Sequence, residues 1–139
     1  MIRRTLLALL LVAPAQAGAQ VDVEPGSWEL TVTSQMQGMD KPIGPLSKTQ
    51  CFSAEDASDP GRILGAGASC QFSNRRASGD EYSFDVKCGG LLPMSGSGRI
   101  RQGAHSFEGD LDVGVDAAAA GGQRIGMKTK ISGRRLGPC

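Results

Sequence analysis

Residues 107–116 read Phe-Glu-Gly-Asp-Leu-Asp-Val-Gly-Val-Asp, and residues 125–131 read Ile-Gly-Met-Lys-Thr-Lys-Ile. In the first stretch Phe107, Leu111, Val113 and Val115 alternate with Glu108, Asp110, Asp112 and Asp116. In the second, Ile125, Met127, Thr129 and Ile131 alternate with Lys128 and Lys130. A period of two places one set of side chains on one face of an extended strand, so both stretches predict half-buried strands. The run Ala117 to Ala120 between them is too short to nucleate a helix, and Gly121-Gly122 stops it. The two strands therefore form a hairpin. Apolar faces must coincide, and the loop 117–121 sets Asp116 opposite Gly122. Val113 then faces Ile125, Leu111 faces Met127 and Phe107 faces Ile131, with Asp110 opposite Lys128 and Glu108 opposite Lys130. A slip of two residues keeps the faces and pairs Asp112 with Lys128 and Asp110 with Lys130.

The same alternation runs through the rest of the chain. Trp28, Leu30 and Val32 alternate with Glu29, Thr31 and Thr33 after a Pro25-Gly26 turn, and a short strand is expected over 48–52. Residues 69–77 and 81–88 form a hairpin around Ser78-Gly79-Asp80, with Tyr82, Phe84, Val86 and Cys88 on one face. A further strand covers 94–102. Ser53-Ala54-Glu55-Asp56-Ala57 reads as one helical turn capped by Ser53, with Pro60-Gly61 ending it. The sum is an all-β chain, an antiparallel meander of about seven strands, barrel-like or sandwich, with one short helical turn. Aromatics are few, which predicts a core of small and branched aliphatic side chains.

The N-terminus has the order of a secretory signal. Arg3 and Arg4 precede the apolar run Leu6 to Val12, and Ala15-Gln16-Ala17 and Ala17-Gly18-Ala19 are small-residue cleavage sites. The apolar run is about half of the ~20 residues a membrane-spanning helix needs. Arg3-Arg4 is a twin-arginine pair, but the short n-region favours the general secretory route. The expectation is a signal peptide at 1–19, a single β domain at 20–139, a mature N-terminus at Gly18 or Gln20, and a periplasmic location. Removing 19 of the 139 residues leaves 120, enough for one modest core. Fifteen Lys and Arg fall to thirteen against fourteen Asp and Glu, a net charge of −1. Such a balance carries no electrostatic footprint for nucleic acid or an anionic membrane, and no second apolar stretch is long enough to span one.

Cys51, Cys70, Cys88 and Cys139 all lie in the mature part. An even number in an exported chain reads as two disulfides. Spacings of 19, 18 and 51 residues lack the close pairs of a zinc site. Three connectivities are open; Cys51–Cys70 with Cys88–Cys139 is favoured, and Cys70–Cys88 with Cys51–Cys139 is the alternative that a cross-strand bridge would give.

Several of these pieces occur together in one known family. They are Pro25-Gly26-Ser27-Trp28-Glu29, Gln50-Cys51-Phe52-Ser53-Ala54-Glu55-Asp56, Cys70, Tyr82-Ser83-Phe84-Asp85-Val86-Lys87-Cys88, Pro93-Met94-Ser95-Gly96-Ser97-Gly98 and Ser132-Gly133-Arg134-Arg135-Leu136-Gly137-Pro138-Cys139. In their order and spacing the chain resembles the domain of unknown function 3617 family, small exported proteins of Gram-negative bacteria. The resemblance implies export and this general fold, and no activity. The family tends to be rich in methionine, whereas the mature part here holds only Met36, Met39, Met94 and Met127.

Candidate chemistry is sparse. The one histidine, His105, adjoins Ser106, but neighbouring strand residues point to opposite faces, which does not make a base–nucleophile pair. Glu108, Asp110 and Asp112 recur about 7 Å apart on one face, a separation in the range of glycoside hydrolysis. Lys128 and Lys130 on the returning strand explain them better as cross-strand ion pairs. Met36 and Met39 are thioethers suited to Cu(I), with His105 or Met94 as further ligands; two incidental loop methionines are the simpler reading. The sequence therefore assigns no catalytic, cofactor-binding or metal residue. It favours a non-enzymatic binding or interaction module of the cell envelope, with an envelope protein or a small apolar ligand as partner. Copper binding through methionines, or a small hydrolase, is the alternative.

Overall fold

A computed structural model of the chain describes residues 21–65, 69–116 and 121–139. The signal peptide expected at 1–19 and most of the loop expected at 117–121 lie outside the described residues. The strands are β1 (Gly26–Met36), β2 (Ile43–Phe52), β3 (Cys70–Ser78), β4 (Glu81–Cys88), β5 (Met94–Gln102), β6 (Ser106–Val115) and β7 (Ile125–Gly137). They form one seven-stranded antiparallel sheet in the order β2-β1-β7-β6-β5-β4-β3, and the sheet does not close. The expected all-β, seven-strand antiparallel class is what the chain adopts. Strands β4 and β5 occupy the residues expected from sequence. Strand β2 begins five residues earlier than expected, at Ile43 rather than Lys48, and β7 runs on to Gly137 because β1 pairs with it along almost its full length.

Strands β3 to β7 are a meander, and β7 returns to lie beside β1. The segment 53–69 leaves β2 at one edge of the sheet and enters β3 at the other. It holds a 3-10 turn (Asp56–Ser58) and a short helix, α1 (Pro60–Leu64). Pro60-Gly61 was expected to end a helical turn and instead starts α1. Proline is tolerated at the first helical position, and Asp59 caps it by accepting the Gly61 N–H at 2.8 Å. Gly65, at φ 71°, ends the helix in the left-handed region. Upstream, the Ser53 N–H donates to Asp56 Oδ2 at 3.2 Å and the Asp56 N–H to Ser53 Oγ at 3.1 Å, a reciprocal cap. The Ser53 backbone, then its side chain, holds the Asp56 carboxyl below the ordinary carboxylate value, with Arg62 assisting.

This crossing segment covers the apolar face. Ala57 and Ile63 are buried against it, and Leu64 packs onto β6 beside Gly109. The segment before β1 completes the cover. Val21 and Val23 are fully buried, the Val23 N–H donates to the Ala57 carbonyl at 3.1 Å, and Trp28 Nε1–H donates to the Glu24 carbonyl at 2.9 Å. The core is mainly aliphatic in number, as composition suggests, with Val, Leu, Ile and Ala outnumbering the rings among the buried residues, and aromatic rings are packed among them. Trp28, Phe52, Tyr82, Phe84 and Phe107 are all buried, and Trp28 lies 5.4 Å from Phe107 and 6.1 Å from Phe52 by ring centroids. Few aromatics suffice because nearly all are spent inside, each burial contributing about 1.5–3 kcal/mol.

Large rings need small partners across the sheet. Phe84 faces Gly98, whose added Cβ would come within 2.6 Å of the ring; Phe107 faces Gly133; Ile131 faces Gly109. This size alternation decides the β6–β7 register. The expected pairing of Phe107 with Ile131 and Glu108 with Lys130 does not occur. The slip of two residues does, with Val113 opposite Met127, Leu111 opposite Thr129, Asp112 opposite Lys128 and Asp110 opposite Lys130. The expected register would have set Phe107 against Ile131 and left Gly133 without a ring to accommodate.

The favoured cysteine pairing is also corrected. The pairs at disulfide distance are Cys51–Cys139 and Cys70–Cys88, with Cα atoms 5.8 Å and 4.0 Å apart. The β2-to-β3 connection is a crossover, not a hairpin, so Cys51 and Cys70 stand at opposite edges and opposite ends of the sheet. Cys51 and Gly137 instead flank Ser27 from either side, which brings Cys139 to Cys51. Cys70 and Cys88 are direct cross-strand partners.

Candidate functional site

The sheet has two faces and two ends, and the sequence candidates are distributed over them. The near end holds the start of β1, the β5–β6 turn and the C-terminus. The far end holds the β1–β2, β4–β5 and β6–β7 connections.

His105 lies in the β5–β6 turn at the near end. Its Nδ1 is 2.9 Å from Glu24 Oε2, and the same carboxylate lies 3.8 Å from Arg135 Nε. Arg135 Nε–H also donates to the Pro25 carbonyl at 2.9 Å. The cluster fastens the segment before β1 to the strand ends beneath it. Met36 ends β1 at the far end, and the Met39 N–H donates to its carbonyl at 3.1 Å. The structure therefore does not bring His105 to Met36 and Met39: they are at opposite ends of the sheet. Met94 shares the far end but starts β5, three strands from β1, about 14 Å away. Among the described residues, no three His, Cys, Asp or Glu side chains come together as a metal cluster.

The carboxylate row lies on the solvent face, where the charges follow a pattern that the strand-by-strand reading missed. Strand β6 presents Glu108, Asp110 and Asp112, and β4 presents Glu81 and Asp85. The strand between them, β5, presents Arg99 and Arg101. On the other side of β6, β7 presents Lys128, Lys130 and Arg134, and Glu29 of β1 answers them. Each strand carries chiefly one sign and its neighbours the other. Ion pairs join every adjacent pair from β4 to β1: Arg101 to Glu81 at 3.5 Å, Arg99 to Asp110 at 3.6 Å, Lys128 to Asp112 at 3.9 Å and Arg134 to Glu29 at 2.9 Å. Asp110 thus engages Arg99 rather than Lys130, although Lys130 is its register partner. The signal was present in the sequence as runs of one sign at period two, but Arg99, Arg101, Arg134, Glu29 and Glu81 gained meaning only with the strand order.

Residues of β3 to β7 line a depression on this face. A trough of about 790 Å³ lies there, with four carboxylates and four cations in its lining. At its β3 rim a bulge between Ser73 and Arg76 carries Asn74 at φ 50°, a conformation asparagine tolerates, and Asn74 Nδ2 donates to Asp85 Oδ2 at 2.6 Å. The bulge, with Arg75 and Arg76, also blunts that edge of the sheet against further pairing, as Pro45 and Lys48 do on β2.

A second surface feature is apolar. Of the large hydrophobic residues exposed among the described residues, Leu91, Leu92, Ile125, Met39 and Ile43 all sit at the far end, on or beside three separate connections. Leu91 is 99% and Leu92 60% exposed. One buried polar atom, the Tyr82 hydroxyl, has no hydrogen-bond partner among the described residues, and burial raises its pKa above the ordinary tyrosine value. Among the described residues no helix is long and apolar enough to cross a membrane.

No curated protein and no solved structure matches the chain. The family model described as a protein of unknown function (DUF3617) matches residues 23–139, from the buried Val23 through the last cysteine. The chain belongs to that family.

Proposed function

We propose that this protein is exported to the periplasm, loses residues 1–19, and acts there as a single-domain, non-enzymatic interaction module of the cell envelope. The observation that carries the reading is the gathering of exposed apolar side chains at the far end, with Leu91 and Leu92 on one hairpin tip. Adjacent and highly exposed, Leu91 and Leu92 are the kind of apolar surface that marks an interaction site, and Ile125, Met39 and Ile43 add apolar side chains along the same end. The apolar face of the sheet is filled by the chain's own rings and by the crossing segment, which favours a protein partner over a small apolar ligand. Two cysteine pairs at disulfide distance suit an oxidising compartment. The residues considered for chemistry are dispersed: His105 contacts Glu24 at the near end, while Asp110 and Asp112 face Arg99 and Lys128 in mid-sheet.

The test has two parts. Cell fractionation with N-terminal sequencing should find the protein in the periplasm, beginning at Gly18 or Gln20; a cytoplasmic product still carrying Met1 overturns the export reading. Affinity capture from an envelope extract should retain a component that the Leu91→Asp/Leu92→Asp variant loses while melting like the wild type. Equal retention by both proteins removes the far end from the proposal.

A further inference from the structure

We propose that the polar trough across β3 to β7 is a binding site for a neutral oligosaccharide. It is a different surface from the apolar far end, and it stands or falls separately.

The trough crosses five strands, four spacings of about 4.8 Å, or roughly 19 Å. That length suits a short chain of linked rings rather than a single ion. Its lining balances four carboxylates against four cations, so a ligand with net charge gains little there from long-range attraction. The hydrogen-bonding capacity of those groups is largely unspent. Arg99 and Asp110 approach to 3.6 Å, and Lys128 and Asp112 to 3.9 Å, beyond hydrogen-bond range. These pairs hold each other's charge and leave guanidinium and ammonium donors and carboxylate acceptors facing the trough. Ser83 on β4 is the register partner of Arg99, and Ser97 on β5 is that of Asp112, which adds hydroxyls between the charged groups.

Donor and acceptor strands therefore alternate across the trough. A sugar hydroxyl gives one hydrogen bond and accepts others, so a row of ring hydroxyls is satisfied by such an alternation. A fatty chain would strand these groups unpaired, and a phosphate would meet carboxylates as often as cations. Phe84 is part of the lining but only 2% exposed, so the trough offers no open ring face to stack on. Affinity then rests on hydrogen bonds exchanged with water, and a Kd of roughly 1 mM is expected.

The test is a titration of the ¹⁵N-labelled, oxidised protein with neutral tetra-N-acetylchitotetraose, followed by amide chemical shifts. The expected result is saturable movement of Ser83, Ser97, Arg99 and Asp110, little changed by added salt. The Arg99→Gln/Asp110→Asn variant replaces two half-exposed side chains and should melt within about 1 kcal/mol of wild type. It should bind roughly tenfold more weakly, as expected for two hydrogen bonds lost. Leu91→Asp should leave the titration unchanged. Shifts confined to other surfaces, or no saturable shifts, overturn the proposal. So does a trough that moves with inorganic phosphate, is suppressed by salt and ignores the tetramer, because the site would then be an anion site.

Discussion

Phe107 on β6 lies directly opposite Gly133 on β7, and its ring occupies the space that a Cβ at Gly133 would need. The contact fixes the register of the two strands, and it sits beside Trp28 at the centre of the core. Replacing Gly133 by alanine should therefore force the ring aside and cost about 1–3 kcal/mol. Adding Phe107→Leu should recover part of that loss, a coupling readable in a urea double-mutant cycle. If Gly133→Ala unfolds at the wild-type midpoint, Phe107 does not lie over Gly133.

Tyr82 points to a second measurement. Its hydroxyl is buried without a hydrogen-bond partner among the described residues, and desolvation raises its pKa, with Arg75 opposing the shift and Asp59 adding to it. Tyr82→Phe removes an orphaned polar group and should raise stability, by about 1–3 kcal/mol. The sign of the pH effect follows from the raised value. The folded state holds the proton more tightly, so the contribution is complete below the unfolded pKa of about 10 and is lost as pH rises through the higher folded pKa. As the chain has a single tyrosine, alkaline difference absorbance reads it directly. A stability that declines between neutral pH and 9 in wild type but not in Tyr82→Phe would contradict the shift.

The cysteine pairing is open to peptide mapping under non-reducing conditions. Fragments joined through Cys51–Cys139 and Cys70–Cys88 are expected. With separations of 88 and 18 residues, the longer closure should stabilise more. Removing it should cost about 4–5 kcal/mol against about 3 kcal/mol for the hairpin bridge. Recovery of a Cys51–Cys70 fragment would be incompatible with the crossover between β2 and β3.

The charged face should be nearly silent in stability. Lys128 and Asp112 are well exposed and 3.9 Å apart, so their coupling in a double-mutant cycle should fall below about 1 kcal/mol. Ile100→Ala on the buried face should cost about 2–5 kcal/mol. A reversed order, with Lys128→Glu the worse substitution, would mean that the ion-pair ladder organises the fold.

What the sequence determined by itself was whatever depends on neighbours along the chain. The alternation in 107–116 and 81–88 placed strands and their wet faces, and Gly79 and Gly103 marked turns. The family followed from short motifs kept in order. Tertiary structure decided the rest, because those questions compare residues far apart in sequence. Parity allowed two β6–β7 registers, and only the fit of Phe107 to Gly133 and Ile131 to Gly109 chose between them. Four cysteines allowed three pairings, and only the placing of β2 and β3 at opposite edges of the sheet separated Cys51 from Cys70 while β1 drew Cys139 to Cys51. The trough has the same origin: Arg99 and Asp110 are ordinary surface charges in sequence, and the order and register of the strands set them side by side in one trough.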